Sequence, residues 1–155
     1  MLKFYNYDIV FAEIPEEVTL AVNITNCPNR CEGCHSPWLR KDIGDVLDEA
    51  SIAVLMKQYE STITCFCLMG GDGDPHEVER LAAHVRTAYP KIRTAWYSGK
   101  PELPETLDIT AFDYIKVGPY IEQCGSLKSP TTNQRLYKIL RDGTKEDITH
   151  KFWKK

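Results

Sequence analysis

Three cysteines fall within eight positions, as Cys27-x3-Cys31-x2-Cys34. Thiols so closely grouped point to a metal in a reducing compartment, since six cysteines in 155 residues are too sparse for a disulfide scaffold. The spacing also bears on which metal. A structural zinc closes a tetrahedron with four ligands, usually two short-spaced pairs from separate places, and only one closely spaced group exists here. An iron–sulfur cubane has one iron per corner, so three thiolates from a short loop hold three irons and leave the fourth open to a substrate. Pro28, Asn29 and Gly33 suit a loop that curls around such a cluster. The competing reading is a zinc site completed by His35 or Cys65.

The surrounding pattern supplies the elements that must position this loop. Residues 18–24 alternate β-branched and apolar types, which predicts a strand delivering its C-terminal end to the cysteines. Further strands are expected over 62–69, 92–97 and 112–117, stopping at Gly70-Gly71, Ser98-Gly99 and Gly118-Pro119. Between them, Ile52, Leu55, Met56 and Tyr59 recur at the spacing of one buried helix face. A second helix is marked by Asp74 as cap, Pro75 in the first turn and Glu77 at capping-box spacing, with Val78, Leu81, Ala82 and Val85 as its stripe. Strands alternating with helices predict parallel α/β architecture, in which ligands gather beyond the C-terminal strand ends. Residues 135–148, with Asp142-Gly143 in the middle, read as a hairpin.

Cys65 and Cys67 share a strand face and read as small buried hydrophobes, and Cys124 as an incidental loop thiol. Of Trp96 and Tyr97, at least one must be core, because neighbours on a strand alternate faces. His76 and His84 read as surface residues, and Phe152 and Trp153 as aromatics packed on the body.

The chain reads as one domain, residues 1–155, without repeats or linkers. Apolar residues at 43% and charged ones at 26% describe a folding chain, and the net charge of −3 supplies no footprint for nucleic acid or an anionic membrane. No apolar run approaches the roughly 18 residues that span a bilayer, and Lys3, Asp8 and Glu13 stand where a signal peptide would be apolar. A cytoplasmic location is expected.

Segment 27–38, Cys-Pro-Asn-Arg-Cys-Glu-Gly-Cys-His-Ser-Pro-Trp, resembles the signature loop of the radical S-adenosylmethionine (SAM) superfamily. More narrowly, it is similar to that of the small glycyl-radical activating enzymes. Met69-Gly70-Gly71-Asp72, Trp96-Tyr97-Ser98-Gly99, Val117-Gly118-Pro119-Tyr120 and Ser-Pro-Thr-Thr-Asn-Gln-Arg at 129–135 follow in the order of the activating proteins of anaerobic ribonucleoside-triphosphate reductase. The resemblance implies a partial, open (β/α) barrel with a mostly parallel sheet. It implies a 4Fe-4S cluster on Cys27, Cys31 and Cys34, whose open iron is chelated by the amino and carboxylate groups of SAM. A single electron, from a donor such as flavodoxin or ferredoxin, would cleave the sulfonium to methionine and a 5′-deoxyadenosyl radical. That radical would take hydrogen from a glycine Cα of the reductase. No acid–base residue of the chain is assigned, since the cofactor carries the chemistry.

By the same resemblance, Gly33 and His35 line the SAM site, Asp72 accepts a hydrogen bond from the SAM ammonium, and Tyr97 and Ser98 face the adenosine. Gly70 and Gly71 would let backbone approach the ligand, so a Cβ at Gly71 is expected to clash with SAM. Asn133 and Arg135 match a family motif but equally suit a polar turn opening a hairpin. Tyr120, Glu122 and Gln123 would form the rim where the partner's glycine loop enters. A formate-lyase-type partner is the alternative within this class, and a noncatalytic zinc-binding module the alternative outside it.

Overall fold

The structure is a computed structural model and describes residues 2–25 and 43–153. Its apolar runs become strands β1 (Leu2–Val10), β2 (Thr19–Ile24), β3 (Asp45–Leu47), β4 (Cys65–Met69), β5 (Arg93–Tyr97), β6 (Tyr114–Val117), β7 (Arg135–Ile139) and β8 (Lys145–Asp147). They form one open sheet in the order β3-β1-β2-β4-β5-β6-β7-β8. The central strands β2, β4, β5 and β6 run parallel, with Thr19 opposite Cys65, Cys65 opposite Arg93 and Tyr97 opposite Lys116.

The mostly parallel sheet expected from the sequence is instead mixed: among the described residues three strand pairings are parallel and four antiparallel. Connection length explains two of the four antiparallel pairings. Parallel neighbours need a crossover of a dozen or more residues, whereas β1 to β2 and β7 to β8 are joined by short loops that fold straight back.

Two helices among the described residues cover one face. Helix α1 (Glu49–Tyr59) starts in a capping box, the Ser51 N–H donating to Asp48 Oδ1 and the Asp48 N–H to Ser51 Oγ, each at 2.9 Å. Helix α2 (Pro75–Ala88) has Asp74 at its N-cap and Pro75 in its first turn, but the capping box expected from Asp74 and Glu77 does not form. The Arg80 guanidinium takes both Glu77 carboxylate oxygens at 2.7 Å, and the Asp74 N–H donates to Gly71 O. A bidentate charge-assisted pair outcompetes the reach back to a committed backbone donor.

Strand alternation then sorts the core into two layers. Leu20, Val22, Phe66, Leu68, Trp96 and Ile115 pack under Ile52, Met56, Val78, Leu81 and Val85 of the helices. Trp96 is the buried member of the aromatic pair and stacks on Phe112 with ring centroids 5.6 Å apart. On the opposite face Cys65, Cys67, Ala95, Tyr114 and Leu136 are covered by Ile14 from the β1–β2 loop and Ile148 from the C-terminal segment. Phe152 packs against this second layer, and Trp153 donates its indole N–H to Leu127 O at 3.0 Å, as the sequence leads one to expect. No helix among the described residues is long and apolar enough to cross a membrane.

Both buried thiols carry a consequence for stability. Burial pushes the Cys65 and Cys67 thiols well above their ordinary value, so the folded chain keeps them protonated. Unfolded thiols ionise near pH ~8.5. Above that pH the unfolded chain sheds protons that the folded chain retains, so this contribution is complete below it and lost as pH rises. Each thiol should lower stability by up to about 1.4 kcal/mol per pH unit in that range. Urea unfolding between about pH 8 and about pH 9.5 should show the decline, and Cys65→Ala with Cys67→Ala should flatten it. An unchanged slope in the double variant would refute the assignment.

Candidate functional site

All four parallel strands end at one edge of the sheet, where the chain leaves through Thr25, Gly70-Gly71, Ser98-Gly99 and Gly118-Pro119. Of the predicted site residues, Cys27, Cys31, Cys34, Gly33 and His35 lie outside the described residues. Their point of departure is described: Thr25, after the end of β2, donates its N–H to Lys3 O at 2.9 Å, fixing where the cysteine segment begins. Among the described residues, no three His, Cys, Asp or Glu side chains gather to hold a metal ion.

Gly70 and Gly71 both adopt positive φ, at +112° and +93°, a conformation that side chains oppose. The neighbours account for both. Gly70 donates its N–H to Tyr97 O at 3.0 Å and accepts the Trp96 indole N–H at 2.6 Å, and a Cβ there would come within 3.3 Å of Ile24 O. A Cβ on Gly71 would lie 2.5 Å from Val78 Cγ2 and 3.4 Å from Ile24 Cδ1. The clash expected at Gly71 is therefore with helix α2 inside the protein. It needs no ligand.

Asp72 follows directly and ties two strand ends together. Its Oδ1 accepts from Ser98 Oγ, and its Oδ2 from the Gly99 N–H at 2.8 Å. Ser98 Oγ in turn accepts the Lys100 N–H at 3.1 Å, and the Ser98 N–H donates to Lys116 O. Ser98 is buried. These two bonds orient Asp72 at the edge.

Tyr97 and Ser98, expected together beside one ligand group, point to opposite sides of the edge. Ser98 and Asp72 line a cleft of about 380 Å³ with Pro75, Lys100 and Leu103. Tyr97 lines a different cleft, of about 520 Å³, with Met69, Tyr120, Gln134 and Phe152. Its hydroxyl donates to Glu13 O, and burial, reinforced by Cys67 and Glu13, pushes its ionisation far above the ordinary phenol value. Consecutive residues alternate faces at a strand end, so one site touching both side chains must wrap around the edge.

Two buried residues near Tyr97 escaped the sequence reading. The Lys116 ammonium is buried, donates to Gly118 O at 3.1 Å and to Gln134 Oε1 at 3.0 Å, and lies 5.2 Å from the Tyr97 ring centroid. A lysine inside an apolar strand run was the available signal. Gln134 lies inside the 129–135 motif, but nothing in that polar stretch shows that its side chain joins the buried layer.

The remaining motif residues have identifiable local roles. The Asn133 amide donates to Pro119 O at 3.0 Å, and Arg135 pairs with Asp147 of β8 at 3.7 Å, so both serve the turn and hairpin. Tyr120 lines the larger cleft, and Glu122 and Gln123 are exposed just beyond it. Cys124 is a partly exposed free thiol, and His76 meets Thr106 Oγ1 at 2.8 Å on the surface. Comparison of the chain with protein-family models, with curated proteins and with solved structures returns no match.

Proposed function

We propose that this chain is a cytoplasmic radical SAM activase that installs a glycyl radical on an anaerobic ribonucleoside-triphosphate reductase. The observation that carries the reading is a juxtaposition. The segment bearing Cys27, Cys31 and Cys34 leaves the end of β2 at the same sheet edge where Gly70-Gly71-Asp72 and Tyr97-Ser98-Gly99 end β4 and β5. That edge is where parallel α/β proteins bind their ligands.

The donor set fits a 4Fe-4S cluster: soft thiolates, closely spaced and one short of a closed tetrahedral set. Cys65 and Cys67 are fully buried in the packed layer, which argues against them as ligands. When bound, the cluster and SAM would supply one-electron cleavage of the sulfonium and the carbon radical that oxidises a glycine. The chain's own residues would hold and orient. Cys27, Cys31 and Cys34 would ligate iron, with Gly33 and His35 beside the third ligand. Asp72, already oriented by Ser98 and Gly99, would accept from the SAM ammonium, a charge-assisted bond of the stronger kind. Tyr120, Glu122 and Gln123 would border the entry of the partner's glycine loop, which must bring its Cα within about van der Waals reach. A small electron-transfer protein such as flavodoxin or ferredoxin would supply the electron.

The test is an anaerobic mixture of this protein, SAM, a one-electron reductant and the reductase. A brown protein, stoichiometric 5′-deoxyadenosine and a glycyl radical doublet in electron paramagnetic resonance are expected. A doublet appearing only on a formate-lyase-type enzyme would replace the partner. A colourless zinc protein, or an intact cluster that cleaves no SAM, would overturn the activity itself.

A further inference from the structure

At the other end of the parallel strands, four basic residues and Asp113 line one cavity of about 630 Å³. Arg86 comes from the last turn of α2, Lys91 and Arg93 from the turn and strand that follow it, and Arg141 from the β7–β8 hairpin. Ile92, Ile139 and Leu140 give the cavity an apolar wall. This concentration runs against the chain's net charge of −3.

Two of the cations are held in place. Arg86 Nη1 pairs with Asp113 Oδ1 at 3.1 Å, while Asp113 Oδ2 accepts the Thr94 N–H at 2.8 Å. Arg93 Nε lies 3.5 Å from the carboxylate of the buried Glu17. Lys91 and Arg141 have no acidic partner among the described residues, and both are exposed at the cavity. A cation in the last turn of α2 complements the helix dipole. That and Asp113 account for Arg86, Glu17 accounts for Arg93, and Lys91 and Arg141 are left unexplained.

We propose that this cavity binds a phosphate-bearing small molecule. Three observations select that class. Two cations without partners beside two anchored ones suit a ligand with more than one negative charge, beyond a single carboxylate. Arg86 and Arg141 bring guanidinium groups, whose planar donor forks phosphate oxygens accept in pairs. The volume falls within the roughly 300–1,000 Å³ of small-molecule sites, and the apolar wall gives the uncharged part of a phosphate ester a surface to lie on. The site is separate from the radical chemistry proposed above, so either can fail alone.

Titration calorimetry of the full chain with inorganic tripolyphosphate and with ATP tests it. Submillimolar binding of at least one probe is expected, weakening as salt rises, because the contacts are exposed charges. The double variant Lys91→Ala with Arg141→Ala should bind at least about tenfold more weakly, with its unliganded melting temperature unchanged. Lys57→Ala, an exposed lysine on α1, should bind as wild type. Failure of both probes, or wild-type affinity in the double variant, would overturn the proposal. So would binding of a polyglutamate peptide where neither phosphate binds, which would make the cavity an acidic-peptide site.

Discussion

Replacing Cys34 with Ala is expected to remove most of the iron from the anaerobically purified protein and all SAM cleavage. Three thiolates are the whole protein ligand set proposed for the cluster, so each carries about a third of its anchorage, and none has a substitute within the loop. Cys27→Ala and Cys31→Ala should behave alike. The decisive contrast lies in the other cysteines. Cys65 and Cys67 are fully buried beside Ala95 and Leu136, and their raised thiol ionisation opposes the thiolate that iron needs. Cys65→Ala and Cys67→Ala should therefore retain the cluster and lose only packing, about 1 kcal/mol each. Iron content, visible absorbance and 5′-deoxyadenosine yield measure all five variants. Full iron and activity in Cys34→Ala would end the assignment, as would loss of iron in Cys67→Ala with the fold intact.

What could be read from the chain beforehand was local and periodic. The four parallel strands, both helices and the hairpin around Asp142-Gly143 announce themselves by apolar spacing, most of them with a glycine or proline stop, and all are found close to where that spacing puts them. Strand β1 did not, because Lys3, Tyr5, Asn6, Tyr7 and Asp8 form no apolar alternation: much of the strand is exposed, and its pairing with β2 is what orders it. Strand β3 is three residues long, too short for any period to show. The mixed character of the sheet follows from how the chain folds back at either end, which composition cannot reveal.

At the site, types were legible and directions were not. Asp72, Ser98, Gly70 and Gly71 stand out through motifs that the resemblance supplies and through their place at strand ends, and they meet at one edge. Their partners, however, come from elsewhere in the chain. Glu13 reaches Tyr97 across 84 positions, and Val78 sets the fit at Gly71. The four cations of the second cavity are spread from Arg86 to Arg141, so no window of sequence contains them.

Gly71→Val should be among the most destabilising single changes at this edge, and it should act without any ligand. Its Cβ would fall 2.5 Å from Val78 Cγ2, inside the contact distance of two carbons, at a buried position where α2 meets the sheet. Overpacking of this kind costs about 1–3 kcal/mol. Holding a β-branched residue at φ +93° adds about 1–3 kcal/mol more. A combined loss of about 3 kcal/mol or more in urea unfolding is expected, a large part of the 5–15 kcal/mol typical of a domain. Gly70→Ala should lose less, because its Cβ would approach Ile24 O at 3.3 Å and carry only the strain of positive φ. A double-mutant cycle isolates the wedge: in a Val78→Ala background, the cost of Gly71→Ala should fall by about 1 kcal/mol or more as the methyl in its way is removed. Additive costs would show that backbone strain alone matters. Wild-type stability in Gly71→Val would return the glycine to a ligand-facing role. Any weakened SAM binding by Gly71→Val then has meaning only beside its unfolding curve, since a partly unfolded chain binds nothing whichever way the glycine faces.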